Sequence, residues 1–198
     1  MEDKKVYDLK SLKWVILGIM ISSISIVLQM STGLIDTYLS SVVILLSVIR
    51  IISWVIVILG LRKIREYGKF SKCYTSSLWV LVMMVVGFMP LILLAVLIAF
   101  YYYLFKSLEE IALQLKENTF AKLADRIFMI SVWTFILALC IMPITACIFE
   151  ALQTMIMDIL IIIIAIICVV ICAFVYLAYK KLDGREIPVI EKEEGTSK

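Results

Sequence analysis

Histidine is absent from the 198 residues. That absence removes HExxH zinc chemistry, Ser-His and Cys-His nucleophilic pairs and histidine proton relays. Charge is scarce as well. Only 18% of residues are charged while 64% are hydrophobic, far more apolar surface than one soluble core of this length could hide. Cys73, Cys140, Cys147, Cys168 and Cys172 follow no metal-ligand spacing, and four of the five lie inside apolar runs. They read as small packing residues; Cys73, at a membrane edge, reads as a reduced thiol or, in a host that acylates such sites, an acyl carrier. No polar segment is long enough to fold as a separate domain, so coupling to ATP would need another subunit. The net charge of +3 comes from basic residues that flank the apolar blocks, which is what membrane insertion requires and gives no support to nucleic-acid binding.

What the chain has is a series of apolar runs, charge-free except for Arg50 in the second. A run of about 18 or more apolar residues crosses a hydrocarbon core of about 30 Å as a helix. Five such segments are predicted, at about residues 14–33, 42–61, 78–105, 127–149 and 159–179. The first shows no cleavage-site pattern and is read as a retained span rather than a signal peptide. The fold class is therefore all-α, a polytopic transmembrane helical bundle. A basic tail at 1–13 precedes the membrane domain at 14–180, and a charged tail at 181–198 follows it and is predicted to be disordered. Short polar turns are expected at LIDTYLSS and EALQTMIMD, and Pro143 is expected to kink the fourth span.

Five simple crossings leave the orientation unsigned. With the N-terminus inside, the lysines and arginines outside the spans divide equally between the two sides. If block 78–105 instead enters and returns to the same side, every Lys and Arg except Arg50 falls inside. GFMP at 87–90 is the one plausible bend, but it leaves arms of roughly 20 and 25 Å, short for full crossings. The rival is one helix over 78–105, roughly 42 Å long and strongly tilted. Charge favours the bent or re-entrant hairpin, with both termini cytoplasmic in a cell membrane. A short similarity between Gly60-Leu61-Arg62-Lys63-Ile64 and Ala178-Tyr179-Lys180-Lys181-Leu182 agrees with two hairpins of one orientation.

The stretch KSLEEIALQLKENTFAKLADR (106–126) separates two apolar blocks. Ser107 and Glu110 fit a capping box, after which Leu108, Ile111 and Leu115 fall on one helical face. This predicts a short amphipathic connector in the membrane interface, and Asn118-Thr119 reads as a second helix start. Its nearly balanced charges argue against strong docking to anionic lipid. GLRKIREYGKFSKCYTSSL (60–78), LFKSLEEIALQLKENTFAKLADRIFMI (104–130) and FEALQ (149–153) together resemble a family of small multispanning prokaryotic integral membrane proteins of unknown function. The resemblance covers about a quarter of the chain and implies two crossings between the connectors. The apolar block is shorter here than in that family, and a further apolar run follows FEALQ. No activity comes with it.

Few residues stand out chemically. Arg50 lies near the middle of the second span, where a charge costs about 2.5 to 3.5 kcal/mol on insertion scales and needs water, a headgroup or a partner. Asp36, Glu150 and Asp158 are candidate counter-charges. Arg50, Glu150 and Asp158 make up the candidate intramembrane polar site, with a structural ion pair or a snorkelling arginine as the plainer reading. Ser22, Ser23, Ser25, Ser47, Ser53 and Gln153 are expected to hydrogen-bond between helices. Trp14, Trp54, Trp79 and Trp133, with Tyr101, Tyr102 and Tyr103, are expected at the interfaces. No catalytic, cofactor or metal residues are identified. The expected role is a non-enzymatic structural or accessory subunit whose partners are the lipid bilayer and a second copy or another membrane protein. The alternative is a small transporter or channel component in which Arg50 lines a polar path.

Overall fold

The computed structural model describes residues 6–32, 40–67, 69–86, 90–145 and 150–186. These form six α-helices: α1 (Leu12–Thr32), α2 (Ser40–Ile64), α3 (Phe70–Val86), α4 (Pro90–Gln114), α5 (Asn118–Thr145) and α6 (Glu150–Leu182). Each helix packs on its neighbour in the chain, and α6 closes the ring against α1. Aromatic side chains bridge the interior. Trp54 of α2 meets Phe100 of α4 edge-on at 4.9 Å, and Phe174 of α6 is sandwiched between Phe105 at 5.3 Å and Phe120 at 4.8 Å, both nearly parallel to it. Offset ring pairs of this kind add to the area they bury.

The exterior inverts the pattern of a soluble protein. Ile44, Val85, Ile130, Trp133 and Val169, on four different helices, are 62–68% exposed. On α1 the exposed side chains Leu17, Met20, Ile24 and Leu28 repeat every three or four residues, so the helix carries an apolar outer face as well as a buried inner one. Such a continuous apolar surface is stable only in lipid or against another protein. Four helices are long and apolar enough to cross a membrane: Leu12–Gln29, Ser41–Ile64, Ile92–Gln114 and Ile159–Leu182.

The structure revises the expected segmentation in three places. First, block 78–105 is divided between α3 and α4 rather than forming one helix, which gives six helices where five segments were expected. α3 and α4 pack against each other, with Cys73 Sγ 3.8 Å from the carbonyl oxygen of Phe100. Pro90 opens α4, where its missing N–H would have been unpaired anyway, and the residue before a proline is disfavoured in helix. Second, no helix starts at Ser107. It lies inside α4 and its hydroxyl donates to the Tyr103 carbonyl at 2.7 Å, so it caps nothing. The buried face of α4 runs without a break through Phe100, Leu104, Leu108 and Ile111, and an i,i+3 pair between Lys106 and Glu109 at 2.7 Å lies along the same stretch. The amphipathic stripe is thus the lower part of α4, packed into the core. Third, residues 150–158 (EALQTMIMD) are the first turns of α6 and not a turn between helices.

The actual break lies at Leu115-Lys116-Glu117. The N–H of Glu117 bonds to the Ala112 carbonyl and that of Lys116 to the Leu113 carbonyl, with Lys116 in the left-handed region at φ 60°. This is a Schellman end with lysine where glycine is usual. Asn118 then opens α5 where the sequence predicts it. α5 continues through Pro143 to Thr145.

Candidate functional site

Two regions hold the polar chemistry: one end of the bundle, called here the basal end, and the α1–α2 seam. At the basal end residues 6–11 lie against the end of α6. The N–H of Tyr7 bonds to the Arg185 carbonyl, that of Gly184 returns to the Tyr7 carbonyl, and that of Leu9 donates to Asp183 Oδ1 at 2.7 Å. Gly184 has φ +75°, so the chain turns here at a residue without a Cβ. Tyr7 and Leu9 are buried. The hydroxyl of Tyr7 donates to Gln114 Oε1 at the end of α4, and its ring meets Tyr67 of the α2–α3 connector edge-on at 5.4 Å. Burial raises the Tyr7 pKa, and the nearby Glu110 carboxylate and Tyr67 raise it further. Tyr7 thereby ties together the N-terminal segment, the α2–α3 connector and the α4 terminus.

The same end collects the cations. Lys13 sits over the Tyr179 ring at 4.9 Å, and Lys72 over Tyr103 at 6.0 Å. Lys181 pairs with Glu117 at 2.7 Å and lies over the Phe120 ring. Arg62 and Lys63 end α2, and Lys180 and Lys181 end α6, where positive charge complements the helix dipole. Four segments separated in sequence, 6–13, 62–72, 106–126 and 180–186, thus share one end of the fold. Glu110 contributes a buried carboxylate oxygen with no hydrogen-bond partner among the described residues. Of the predicted connector residues, Leu108 and Ile111 are fully buried, and Leu115 packs against the core.

In the seam, α1 and α2 approach so closely that glycines are needed on both sides. A Cβ on Gly18 would lie 2.5 Å from Val57 Cγ2 and 2.6 Å from the Ser53 carbonyl oxygen; on Gly60 it would lie 2.9 Å from Val15 Cγ2 and 3.0 Å from the Ser11 carbonyl oxygen. Close backbone approach through small residues is a common way to join helices in lipid, where burial of apolar surface gives little. Ser11, Val15, Gly18, Ser22 and Ser25 form the α1 side, all but the glycine buried by its own side chain. Alternating steps of four and three residues keep them on one face.

Arg50 lies on the α2 side of this seam, one step beyond Ser53, and is half-buried. Among the described residues no carboxylate pairs with it. Glu150 and Asp158 belong to α6, but their side chains, like all of Asp36, lie outside the described residues. The predicted grouping of Arg50, Glu150 and Asp158 therefore has only its arginine on view.

The serines behave differently from expectation. Ser47 donates to the Val43 carbonyl and Ser53 to the Arg50 carbonyl, both within α2; a helix's own carbonyl is the nearest acceptor for such a hydroxyl. Ser23 and Cys168 of α6 line one groove between α1 and α6. Ser25 Oγ is buried without a hydrogen-bond partner among the described residues, and Gln153 lies outside the described side chains. Trp54 is corrected from interface anchor to core, being 2% exposed. Trp14, Trp79 and Trp133 are exposed. Cys73, Cys140, Cys168 and Cys172 are free thiols, and Cys147 lies outside the described residues.

Sequence reasoning missed Tyr7 and the two seam glycines. The four-three spacing of small residues from Ser11 to Ser25 could have found Gly18. Nothing local distinguishes Tyr7 from other tail tyrosines. No family model matches the chain, and no curated protein or solved structure matches it either.

Proposed function

We propose that the protein is a multi-pass integral membrane protein of the cell membrane with both termini cytoplasmic, acting as a non-enzymatic structural or accessory subunit. The observation that carries this reading is the gathering of four basic segments at one end of a bundle whose flanks are apolar and exposed. Lys and Arg near span ends are retained on the cytoplasmic side, so a single basal end supports a single cytoplasmic face. On this reading α3 and α4 cross and return. α3, with 17 residues, is about 25 Å long and needs some local thinning of a core of about 30 Å. The resemblance to small multispanning prokaryotic membrane proteins belongs to the same proposal and rests on the sequence alone. The subunit packs against a second copy or another membrane protein.

Single cysteines introduced at Lys116 and Lys192, in a chain whose other cysteines are replaced, test the orientation. Both should resist an impermeant maleimide in intact cells and react after lysis. Reaction of either from outside, with the N-terminus independently located inside, overturns the proposal.

A second reading, a small transporter or channel component, is favoured by Arg50, half-buried in α2 with no carboxylate paired to it among the described residues. Arg50→Leu separates the two. Loss of transport at normal abundance supports a path, and loss of abundance supports a structural role.

A further inference from the structure

An apolar groove of about 530 Å³ opens sideways between α1 and α6. Met20, Ser23 and Ile24 line it from α1, and Ala165, Cys168 and Cys172 from α6. The small α6 residues hollow its floor, with Ser23 of α1 and Cys168 of α6 both lining it. Its length along α1, from Ile16 to Leu28, is about 18 Å at 1.5 Å per residue.

The groove is not uniform along its axis. Its basal end is closed by Ile16 and Tyr176, and one turn further lies Tyr179 with the Lys13 ammonium 4.9 Å above its ring. Tyr176 and Tyr179 are themselves in contact, with ring centroids 6.3 Å apart. The apolar slot thus ends near an exposed lysine of α1 that leans onto α6. That is the shape and charge order of an anionic glycerophospholipid: acyl chain in the slot, phosphate at the cation.

We infer that the α1–α6 groove is a binding site for one anionic glycerophospholipid of the leaflet at the basal end, with Lys13 as its phosphate contact. A neighbouring apolar helix would bring no anion to Lys13, which has no carboxylate paired with it among the described residues. This inference rests on the membrane reading above but not on which side the basal end faces.

The test uses the full chain, purified in mild detergent and mixed with equal amounts of phosphatidylglycerol and phosphatidylcholine of matched acyl chains, with native mass spectrometry counting the lipid retained. The wild type should keep one phosphatidylglycerol per chain in about fivefold preference, the fold-change one basic residue carries at an anionic surface. Lys13→Gln should retain lipid but lose the preference. Cys168→Phe, which fills the floor, should retain neither lipid while keeping its helicity and elution volume. If Cys168→Phe does not fold, Lys13→Gln decides alone. Unchanged preference in Lys13→Gln overturns the site. So does a Cys168→Phe protein that keeps its lipid but changes its oligomeric mass, because a second copy would then occupy the groove. Detergent has no sides, so failure here is distinct from failure of the accessibility test.

Discussion

Replacing Gly18 with alanine is the sharpest test of how the bundle holds together. In an exposed helix the change would be favourable, because alanine exceeds glycine by about 0.8 to 1.0 kcal/mol in helix propensity. Here the new methyl would lie 2.6 Å from the Ser53 carbonyl oxygen, where ordinary contact begins at 3.4 Å, so backbone must separate by about 0.8 Å. Its other neighbour, Val57 Cγ2 at 2.5 Å, cannot rotate away cheaply, since β-branched side chains in helices hold one χ1 rotamer. Overpacking of this kind costs about 1 to 3 kcal/mol, and parting the α1–α2 seam also loosens the buried contacts of Val15 and Ser22. Set against the propensity gain, overpacking leaves about 0 to 2 kcal/mol of destabilisation, and the loosened contacts put the net effect on the destabilising side. Gly60→Ala meets milder contacts at 2.9 and 3.0 Å and should be near neutral. Thermal or denaturant unfolding in detergent, followed by circular dichroism, reads both variants. A Gly18→Ala protein as stable as wild type, or less affected than Gly60→Ala, would refute the close approach of α1 and α2.

Three further outcomes follow from the basal end. Lys116→Gly should stabilise by about 1 kcal/mol by relieving the left-handed lysine, whereas Lys116→Val should destabilise; the unfolding midpoint checks both. Tyr7 has a raised pKa, so the folded state holds its proton more tightly than the unfolded state. The stability it contributes is present below about pH 10 and lost as the pH rises above that value. Protease cleavage within residues 1–11 should therefore accelerate above pH 10 in the wild type, and Tyr7→Phe should abolish that dependence while losing the Gln114 hydrogen bond, worth about 0.5 to 1.5 kcal/mol. Lys181→Gln should shift stability by less than about 0.5 kcal/mol, because the Lys181–Glu117 pair is 42% and 31% exposed; a larger loss in the same unfolding assay would show that the cation over Phe120 matters more than the ion pair.

Much of the helical content was legible because lipid imposes it: any long apolar run must satisfy its backbone internally. The start of α5 was legible too, since Asn118 follows a break in the apolar stripe. The capping box at Ser107 misled for a physical reason. S-x-x-E marks a helix start only when the chain before it is not already helical, and here Leu104, Leu108 and Ile111 continue one buried face. EALQTMIMD misled likewise, because its polar residues are compatible with a first helical turn as readily as with a loop. Arg50 drew attention as a lone charge, yet its surroundings depend on which residue of α1 lies opposite. That register is set by Gly18 and Gly60, and only the folded chain shows it.

The two ends of the seam differ in what fixes them. Near Gly60 the basal end of the bundle adds directional contacts outside the seam itself: Tyr7 to Gln114 and Leu9 to Asp183. Beyond Gly18 the buried residues include Ser22, Ser25 and Leu46, and among the described residues Ser25 Oγ has no hydrogen-bond partner and Arg50 no counter-charge. Directional contacts hold one geometry, while apolar packing with spare polar groups leaves room for another partner.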